Sequence, residues 1–248
     1  MPYDHCVTTR ESGLALRDRL YGAYASQHAG CGRSAATPLT YRRDIRPFLP
    51  SPSAGPVIDI GCGQGELVEV LAADGYDARG VDISPEQVHL ARAAGLGQVR
   101  HCDYRDELAE HLSEFAAITA TDFLEHLTKD EVLDAFDRIA QALIPGGIFV
   151  ARVPNAVSPL GGFIRYGDFT HESSYTERSI RQLAAAAGFQ SVTVRPCPPV
   201  AHGLLSAARK VAWKPVSGAF KFALAAETGQ LRGHVVTQNL TFVARQVQ

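Results

Sequence analysis

A short apolar run followed by alternating glycines most constrains what this chain of 248 residues can fold into. The run is Val57–Ile60, and Gly61, Gly63 and Gly65 follow it directly. Glycines at alternate positions let the backbone turn sharply and approach a ligand where a Cβ atom would collide. The segment therefore predicts a strand, a ligand-binding turn and a helix, which together open a parallel α/β sheet.

The register of these glycines disfavours a dinucleotide as the ligand. The dinucleotide pattern G-x-G-x-x-G needs a third glycine at the position of Glu66. A pyrophosphate also requires an uncluttered helix N-terminus, whereas Asp59 brings a negative charge close to the turn. A cationic ligand is therefore favoured over a nicotinamide dinucleotide.

Composition limits the class of protein and its partners. With 46% hydrophobic residues the chain can bury a sizeable core, and its length predicts one elaborated α/β domain. A formal net charge of −2 supplies no broad cationic field, so we expect no nucleic-acid partner and favour a small or neutral acceptor. The cysteines form no C-x-x-C pair, and no apolar leader or membrane-spanning run is present, which predicts a cytoplasmic protein without a metal site.

From Val57 onward, apolar runs alternate with helical patterns as in βαβ units. We expect strands near 57–60, 78–82, 98–101, 116–121, 147–153, 190–195 and 240–244. Capping signals start helices after Ser84 and Thr128, and another helix begins at Thr176. The predicted organisation is a helical cap (1–50), a core (51–200), and a C-terminal helical segment with a final strand (201–248), all within one domain.

Acidic residues also end the next two predicted strands. If the ligand contains a nucleoside, Asp82 lies where a carboxylate can accept hydrogen bonds from both hydroxyls of its ribose. Ile83, beside Asp82, would then pack on the adenine ring. Asp103 and Tyr104 follow the third strand and offer a carboxylate for the adenine amino group and a neighbouring ring. A single Asp at a strand end is usually a turn former or helix cap, so the prediction rests on the joint placement of these residues around the glycines.

This succession resembles the class I methyltransferases, which use S-adenosylmethionine (SAM) and release S-adenosylhomocysteine (SAH). The resemblance spans residues 41–195 and includes an EHL motif, Glu125–Leu127, and a PGG motif, Pro145–Gly147. It implies a Rossmann-like α/β sheet flanked by helices, with SAM as the cofactor. It implies these core residues as SAM contacts: Asp59, Gly61, Cys62, Gly63, Gly65, Asp82, Ile83, Gln87, Asp103, Tyr104 and Thr121.

The resemblance also implies that an Arg or Tyr of the cap binds the carboxylate of the cofactor, and the candidates are Tyr41 and Arg42. The alternative is that the basic residues here face solvent. The acceptor is expected over the carboxyl ends of strands four and five, where we expect the order of the sheet to reverse. This directs attention to residues 122–126 and to a long polar and aromatic loop at 154–175.

Two histidines are candidates for the general base that takes a proton from an acceptor hydroxyl. His171 is the first choice, with Asp168 or Glu172 available to orient it. His126 is the second choice. Either histidine could instead fasten the loops around the cofactor.

The long loop resembles a pattern found in methyltransferases of bacterial surface-polysaccharide and glycoconjugate biosynthesis. The pattern is P-N-x-x-S-P and then R-Y-x-D-x-T-H-E, which ends at Glu172. It implies O-methylation of a sugar hydroxyl on a glycan, glycoside or lipid-linked saccharide, with Asn155, Arg165, Tyr166 and Glu172 as substrate contacts. The alternatives are a phenolic or quinone-like acceptor, and a SAM-binding module without catalysis.

Residues 203–226 combine apolar side chains with four cations, Arg209, Lys210, Lys214 and Lys221. In one interpretation they form two packed helices broken at Pro215, at a homodimer interface, with the cations in solvent. In the other they lie in the interface of an anionic membrane, which would place the protein peripherally at its inner face and suit a lipid-linked acceptor.

Overall fold

The computed structural model describes Leu20 and residues 34–247, so most of the predicted cap lies outside the described residues. The strands are β1 (Val57–Ile60), β2 (Ala78–Asp82), β3 (Val99–His101), β4 (Phe115–Thr121), β5 (Leu143–Pro154), β6 (Ser191–Pro196) and β7 (Asn239–Arg245). The α-helices are α1 (Thr37–Thr40), α2 (Glu66–Ala73), α3 (Pro85–Ala93), α4 (Tyr104–Glu110), α5 (Lys129–Ala142), α6 (Gly161–Arg165), α7 (Glu177–Ala186) and α8 (Leu204–Thr228). A π-helical turn covers Tyr41–Ile45, and short 3₁₀ turns cover Pro52–Ala54 and Leu124–His126.

The strands form one sheet in the described part of the chain, in the order β3-β2-β1-β4-β5-β7-β6. The first five strands are parallel, and β7 runs antiparallel between β5 and β6. The predicted Rossmann-like arrangement of a sheet flanked by helices is confirmed. The predicted place of the reversal is wrong: the strand order reverses between β1 and β4, because β1 pairs with β2 on one side and with β4 on the other.

Both faces of the sheet are covered by helices. All four residues of β1 are buried, as expected for a parallel strand that packs on both sides. On one face, Phe136 of α5 lies 5.5 Å from the ring of Phe149 and 6.0 Å from that of Phe242. On the other face, Leu67 and Leu71 of α2 pack into a second apolar cluster. The two clusters fix the carboxyl ends of the strands, where the polar residues of interest lie.

The helix starts follow the capping signals. The Ser84 hydroxyl accepts a hydrogen bond from the Gln87 amide, and Thr128 forms a reciprocal capping box with Glu131. The prediction of two helices broken at Pro215 is wrong, because α8 continues through this proline. A proline removes one backbone donor, and the helix-favouring alanines, leucines and lysines on both sides keep the helix intact.

Candidate cofactor and acceptor site

The glycine turn after β1 is shaped by close packing on one side and open space on the other. Gly61 has φ +66°, and a Cβ atom there would lie 2.5 Å from the Phe123 ring. Gly63 has φ +53°, and the nearest atom to a Cβ there would be Gln87 Oε1, at 4.0 Å. Both positions need glycine for their backbone conformation. The open side at Gly63 leaves room for a ligand against the backbone.

Asp82, at the end of β2, holds this turn. Its Oδ2 accepts a hydrogen bond from the Gly63 amide at 2.7 Å, and its Oδ1 accepts one from the Ser84 amide at 2.8 Å. Burial raises the pKa of the Asp82 carboxyl, and the two amides oppose that rise. Each carboxylate oxygen retains acceptor capacity for a ribose hydroxyl. Beside it, the Ile83 side chain is 46% exposed and offers an apolar surface for a flat ring.

The end of β3 lies against the same turn. The Tyr104 and Phe123 rings meet edge to face at 5.1 Å, and Phe123 in turn packs on Gly61. The buried Gln87 Oε1 and the buried Tyr104 hydroxyl have no hydrogen-bond partner among the described residues. Asp103 caps α4, and its carboxylate is also paired with the Arg105 guanidinium at 3.0 Å. An adenine amino group would therefore share Asp103 with this arginine.

A cavity of about 320 Å³ opens beside the glycine turn. Gly61, Cys62, Gly63 and Thr121 line it, as does Asp59 at the end of β1. Its charged lining, within the described residues, consists of Asp44, Asp59, Glu66, Asp122 and Arg152. Carboxylates therefore outnumber cations, which suits a ligand with positive charge.

Asp59 is fully enclosed at the base of this cavity. Its Oδ1 accepts a hydrogen bond from the Thr119 hydroxyl at 2.7 Å. Burial raises the pKa of the Asp59 carboxyl to about 7, with the Thr119 bond opposing and the nearby Asp82 charge reinforcing that rise. This carboxyl therefore changes its ionisation close to neutral pH.

Of the two predicted cap residues, only Tyr41 lines the cavity. Its hydroxyl donates a hydrogen bond to Asp74 at 2.5 Å, so this group is already engaged. Arg42 is exposed, because the π-helical turn rotates it outward. The next residue, Arg43, turns inward and pairs with Asp44. The prediction that Arg42 binds the cofactor is therefore not supported by its position.

His171 lies in the loop that follows β5, close to the second candidate base. The His171 and His126 rings are 4.7 Å apart, edge to face. His171 Nδ1 lies 2.8 Å from the Ile164 carbonyl oxygen, and a carbonyl only accepts, so Nδ1 carries the proton. In the neutral ring the lone pair is then on Nε2, which accepts no hydrogen bond from the described residues. The predicted carboxylate partner of Nδ1 is replaced by this carbonyl.

His126 connects the loop to the end of β4. Its Nδ1 lies 2.8 Å from the Thr170 hydroxyl, whose oxygen lies 2.7 Å from Asp168 Oδ1, and the ring also hydrogen-bonds the Asp122 backbone. Burial, with the neighbouring imidazole as the next cause, lowers the pKa of His126 to about 4. His126 is therefore neutral and held on both sides of its ring. Asp122, which lines the cavity, links the histidine pair to the cavity rim.

Asn155 has a structural role in place of the predicted substrate contact. Its side chain is buried, and its Nδ2 donates to the carbonyls of Val235 and Thr237 at 2.7 and 2.8 Å. Its Oδ1 accepts from the Val157 amide at 3.0 Å. This amide therefore fastens the segment before β7 to the end of β5.

Arg165 is also occupied within the protein. Its guanidinium donates to the carbonyl oxygens of His171 and Glu172 and so holds the loop in shape. Tyr166 is 81% exposed, with its ring under the same guanidinium at 5.1 Å. The substrate contacts of Tyr166 and Glu172, which are both exposed, stay predictions.

Residues 35–194 match the family model described as a methyltransferase domain, which is more than half of the chain. The chain belongs to this methyltransferase family. Its fold is similar to that of a SAM-dependent methyltransferase from Archaeoglobus fulgidus, with a TM-score of 0.66, 17% identity, and coverage of 94% of this chain and 99% of that one. A SAM-dependent methyltransferase from Mesorhizobium loti gives a TM-score of 0.60 at 20% identity, over 87% of this chain and 100% of that one.

Two sequence relatives of this methyltransferase have the same name. The chain is 37% identical over 107 residues to the ubiquinone biosynthesis O-methyltransferase of Xylella fastidiosa (strain 9a5c). The aligned segment covers 41% of this chain and 43% of that relative. A protein of the same name from Idiomarina loihiensis is 27% identical over 154 residues, or 56% of this chain and 63% of that relative. The chain therefore matches less than two thirds of the length of these relatives.

The site fits SAM, the cofactor of this family. The open backbone at Gly63, the unpartnered Gln87 Oε1 and the exposed Ile83 face accommodate a nucleoside beside Asp82. The acidic cavity accommodates the cationic end of the molecule. Within the described residues, no cluster of three or more His, Cys, Asp or Glu side chains is arranged to hold a metal ion.

The pair formed by Asp122 and Arg152 was not among the predicted site residues. Arg152 Nε donates to Asp122 Oδ1 at 2.8 Å, and a second bond joins the same two groups. Asp122 has φ +53°, an uncommon left-handed conformation for a residue other than glycine. A signal was available, because Arg152 interrupts the otherwise apolar run of β5. The pair closes the cavity on the side of β4 and β5.

We expect the affinity for SAH to rise about tenfold between about pH 6 and pH 8. Asp59 is largely protonated below its pKa of about 7, whereas the ligand ammonium favours the carboxylate, so binding releases a proton. Calorimetric titration across this range measures the rise. Asp59→Asn keeps the shape of the side chain and should abolish the rise in affinity with pH. Asp77→Asn, at an exposed residue, should leave that rise unchanged. A rise that persists in Asp59→Asn would assign the titration to another group.

Proposed function

We propose that this methyltransferase O-methylates a hydroxyl group, with a saccharide as the first acceptor class. The observation that carries the proposal is the His171 imidazole, whose Nδ1 proton is fixed on the Ile164 carbonyl and whose Nε2 bears the lone pair. A hydroxyl acceptor must lose a proton during methyl transfer, and a positioned imidazole can take it. An acceptor nitrogen that is already neutral would need no such group.

The residues around His171 support its use as the base. SAM, when bound, supplies a methyl group that its sulfonium activates. The bond between Thr170 and His126 holds the loop against the end of β4, and Arg165 braces the backbone on the other side of His171. This framework would keep Nε2 in line with an acceptor approaching over Asp122, and alignment is the main contribution a protein makes to such a displacement.

Exposed aromatic residues support a saccharide acceptor. In the loop that carries His171, the side chains of Phe163, Tyr166 and Phe169 are 81%, 81% and 83% exposed. Their flat faces can pack on the apolar C–H faces of sugar rings while polar loop atoms bind hydroxyls. The resemblance of this loop to methyltransferases of polysaccharide biosynthesis supports the same acceptor. If the saccharide is lipid-linked, the enzyme would work at the cytoplasmic face of a membrane.

A phenolic or quinol-type hydroxyl is the second candidate acceptor. The relatives from Xylella and Idiomarina are named for ubiquinone biosynthesis, and their shared name includes O-methylation. A phenol is more acidic than a sugar hydroxyl, so an imidazole such as that of His171 can take its proton more readily.

Methyl transfer from isotope-labelled SAM to a panel of acceptors tests the proposal. The panel should contain nucleotide-linked and lipid-linked saccharides, simple glycosides and catechols, with product analysis by mass spectrometry. We expect a labelled methyl ether on a saccharide. A labelled catechol alone would establish the second candidate. Labelled product on nitrogen, sulfur or carbon alone, or SAM binding without turnover on any acceptor, would overturn O-methylation.

A further inference from the structure

Helix α8 is less exposed along one side than along the other. Among its 25 residues, all within the described chain, Ser206 is the buried one. Trp213, Phe220 and Leu224 are half-buried. These residues recur at helical spacing, so they form one less exposed stripe along the helix, the inward stripe.

The opposite side of α8 is an exposed apolar stripe formed by Leu204, Val211, Pro215 and Phe222. Their spacing of seven, four and seven residues places them on one helix face, across the axis from the inward stripe. Leu204 is 94% exposed, Val211 65% and Phe222 76%. Alanines fill the positions between them. A continuous apolar face of this kind on an otherwise folded chain marks a docking surface.

A row of lysines runs along the helix between these two stripes. Lys210, Lys214 and Lys221 are all exposed and lie about a quarter of a turn from the apolar stripe. Arg209 adds a fourth cation, and Glu227 is the single acidic residue in the helix sequence. The chain as a whole has a formal net charge of −2, whereas the helix has four cations and one acidic residue and is therefore positively charged. This charge complements an anionic surface.

The segments before and after α8 are each held by a hydrogen bond from outside the helix. The segment before the helix is held where Arg43 donates to the Pro198 carbonyl at 2.6 Å, and Arg43 also pairs with Asp44 at the cavity. The segment after the helix is held where Asn155 donates to Val235. The segments that flank α8 are therefore anchored, one beside Asp44 of the cavity and the other at the end of β5.

We propose that the apolar stripe of α8 lies in the interface of an anionic lipid membrane, with the helix parallel to the surface. Apolar side chains then enter the headgroup boundary, and the lysine row meets anionic headgroups. The long lysine stems can extend along the apolar surface while their ammonium groups stay in water. No described helix is sufficiently long and apolar to cross a bilayer. This inference does not depend on the identity of the acceptor.

Vesicle flotation with the full chain tests this surface. We expect binding to vesicles that contain phosphatidylglycerol, weak binding to pure phosphatidylcholine, and release at high salt. Lys210→Gln, Lys214→Gln and Lys221→Gln combined should weaken partitioning about a hundredfold at low salt. Leu204→Ser with Phe222→Ser should weaken it by about tenfold or more. All five side chains are exposed, so the variants should fold normally and bind SAH like the wild type.

Matched controls lie outside the helix. Leu112→Ser, at a leucine that is 60% exposed, and Lys129→Gln should bind vesicles like the wild type. Equal binding to both kinds of vesicle, or no loss in the α8 variants, would overturn the proposal. A reversible dimer in sedimentation equilibrium that Phe222→Ser abolishes, with no vesicle binding, would also overturn it by assigning the stripe to a second copy of the chain.

Discussion

Replacing His171 with alanine should lower kcat for a hydroxyl acceptor about 100- to 1,000-fold, while SAH affinity changes by no more than about twofold. The loss is expected because Nε2 of this ring is the proton acceptor in the proposed reaction, and its Nδ1 is fixed on Ile164. SAH affinity should persist because His171 does not line the cavity beside the glycine turn. Single-turnover methyl transfer at saturating SAM measures the chemical step.

Two further variants separate base catalysis from loop structure. His171→Gln can still donate a hydrogen bond to the Ile164 carbonyl but cannot take a proton, so it should be as slow as the alanine variant. His89→Ala, at an exposed histidine of α3, should retain full activity. If His171→Gln restores turnover, His171 fastens the loop and the base lies elsewhere.

Replacing Asp82 with alanine should weaken SAH binding by about a hundredfold or more. The variant loses the carboxylate that accepts hydrogen bonds from the ribose of the cofactor. It also loses the two hydrogen bonds that hold the Gly63 and Ser84 amides in place. Each hydrogen bond to a charged group contributes about 1.5–3 kcal/mol, so the loss of two or more such bonds at the site reaches this range. Calorimetric titration with SAH gives the affinity directly.

The matched control for Asp82→Ala is Asp77→Ala. Asp77 directly precedes β2, its side chain is 62% exposed, and it pairs with Arg79. Its SAH affinity should stay within about twofold of the wild type. Circular dichroism and thermal unfolding should show that both variants are folded. Wild-type affinity in a folded Asp82→Ala protein would remove Asp82 from the cofactor site.

Local sequence signals were sufficient to locate the strands along the chain and the glycine turn. Strands β1 and β2 have the predicted bounds, and the helices after Ser84 and Thr128 begin at the predicted caps. These features depend on neighbours within a few residues, such as the Thr128 hydroxyl and the Glu131 amide. A pattern read along the chain can therefore predict them.

The partners of the loop side chains could not be predicted in the same way. Asn155 bonds carbonyls 80 and 82 residues away, and Arg165 bonds two backbone oxygens whose positions depend on how the loop folds. The sequence shows that a polar residue is present, but the fold decides whether its hydrogen bonds are used within the protein. The place of strand reversal is likewise a property of pairing between distant strands, and the order of elements along the chain leaves it open.

The acidic lining of the cavity has a consequence for turnover. Methyl transfer removes the sulfonium charge, so SAH carries one positive charge fewer than SAM. Asp44, Glu66 and ionised Asp59 attract SAM more strongly than SAH. The difference in electrostatic interaction energy is larger in a partly enclosed site than in bulk water. Raising the pH across the pKa of Asp59 should therefore strengthen the binding of SAM more than that of SAH, so the enzyme should resist inhibition by SAH better at mildly alkaline than at mildly acidic pH.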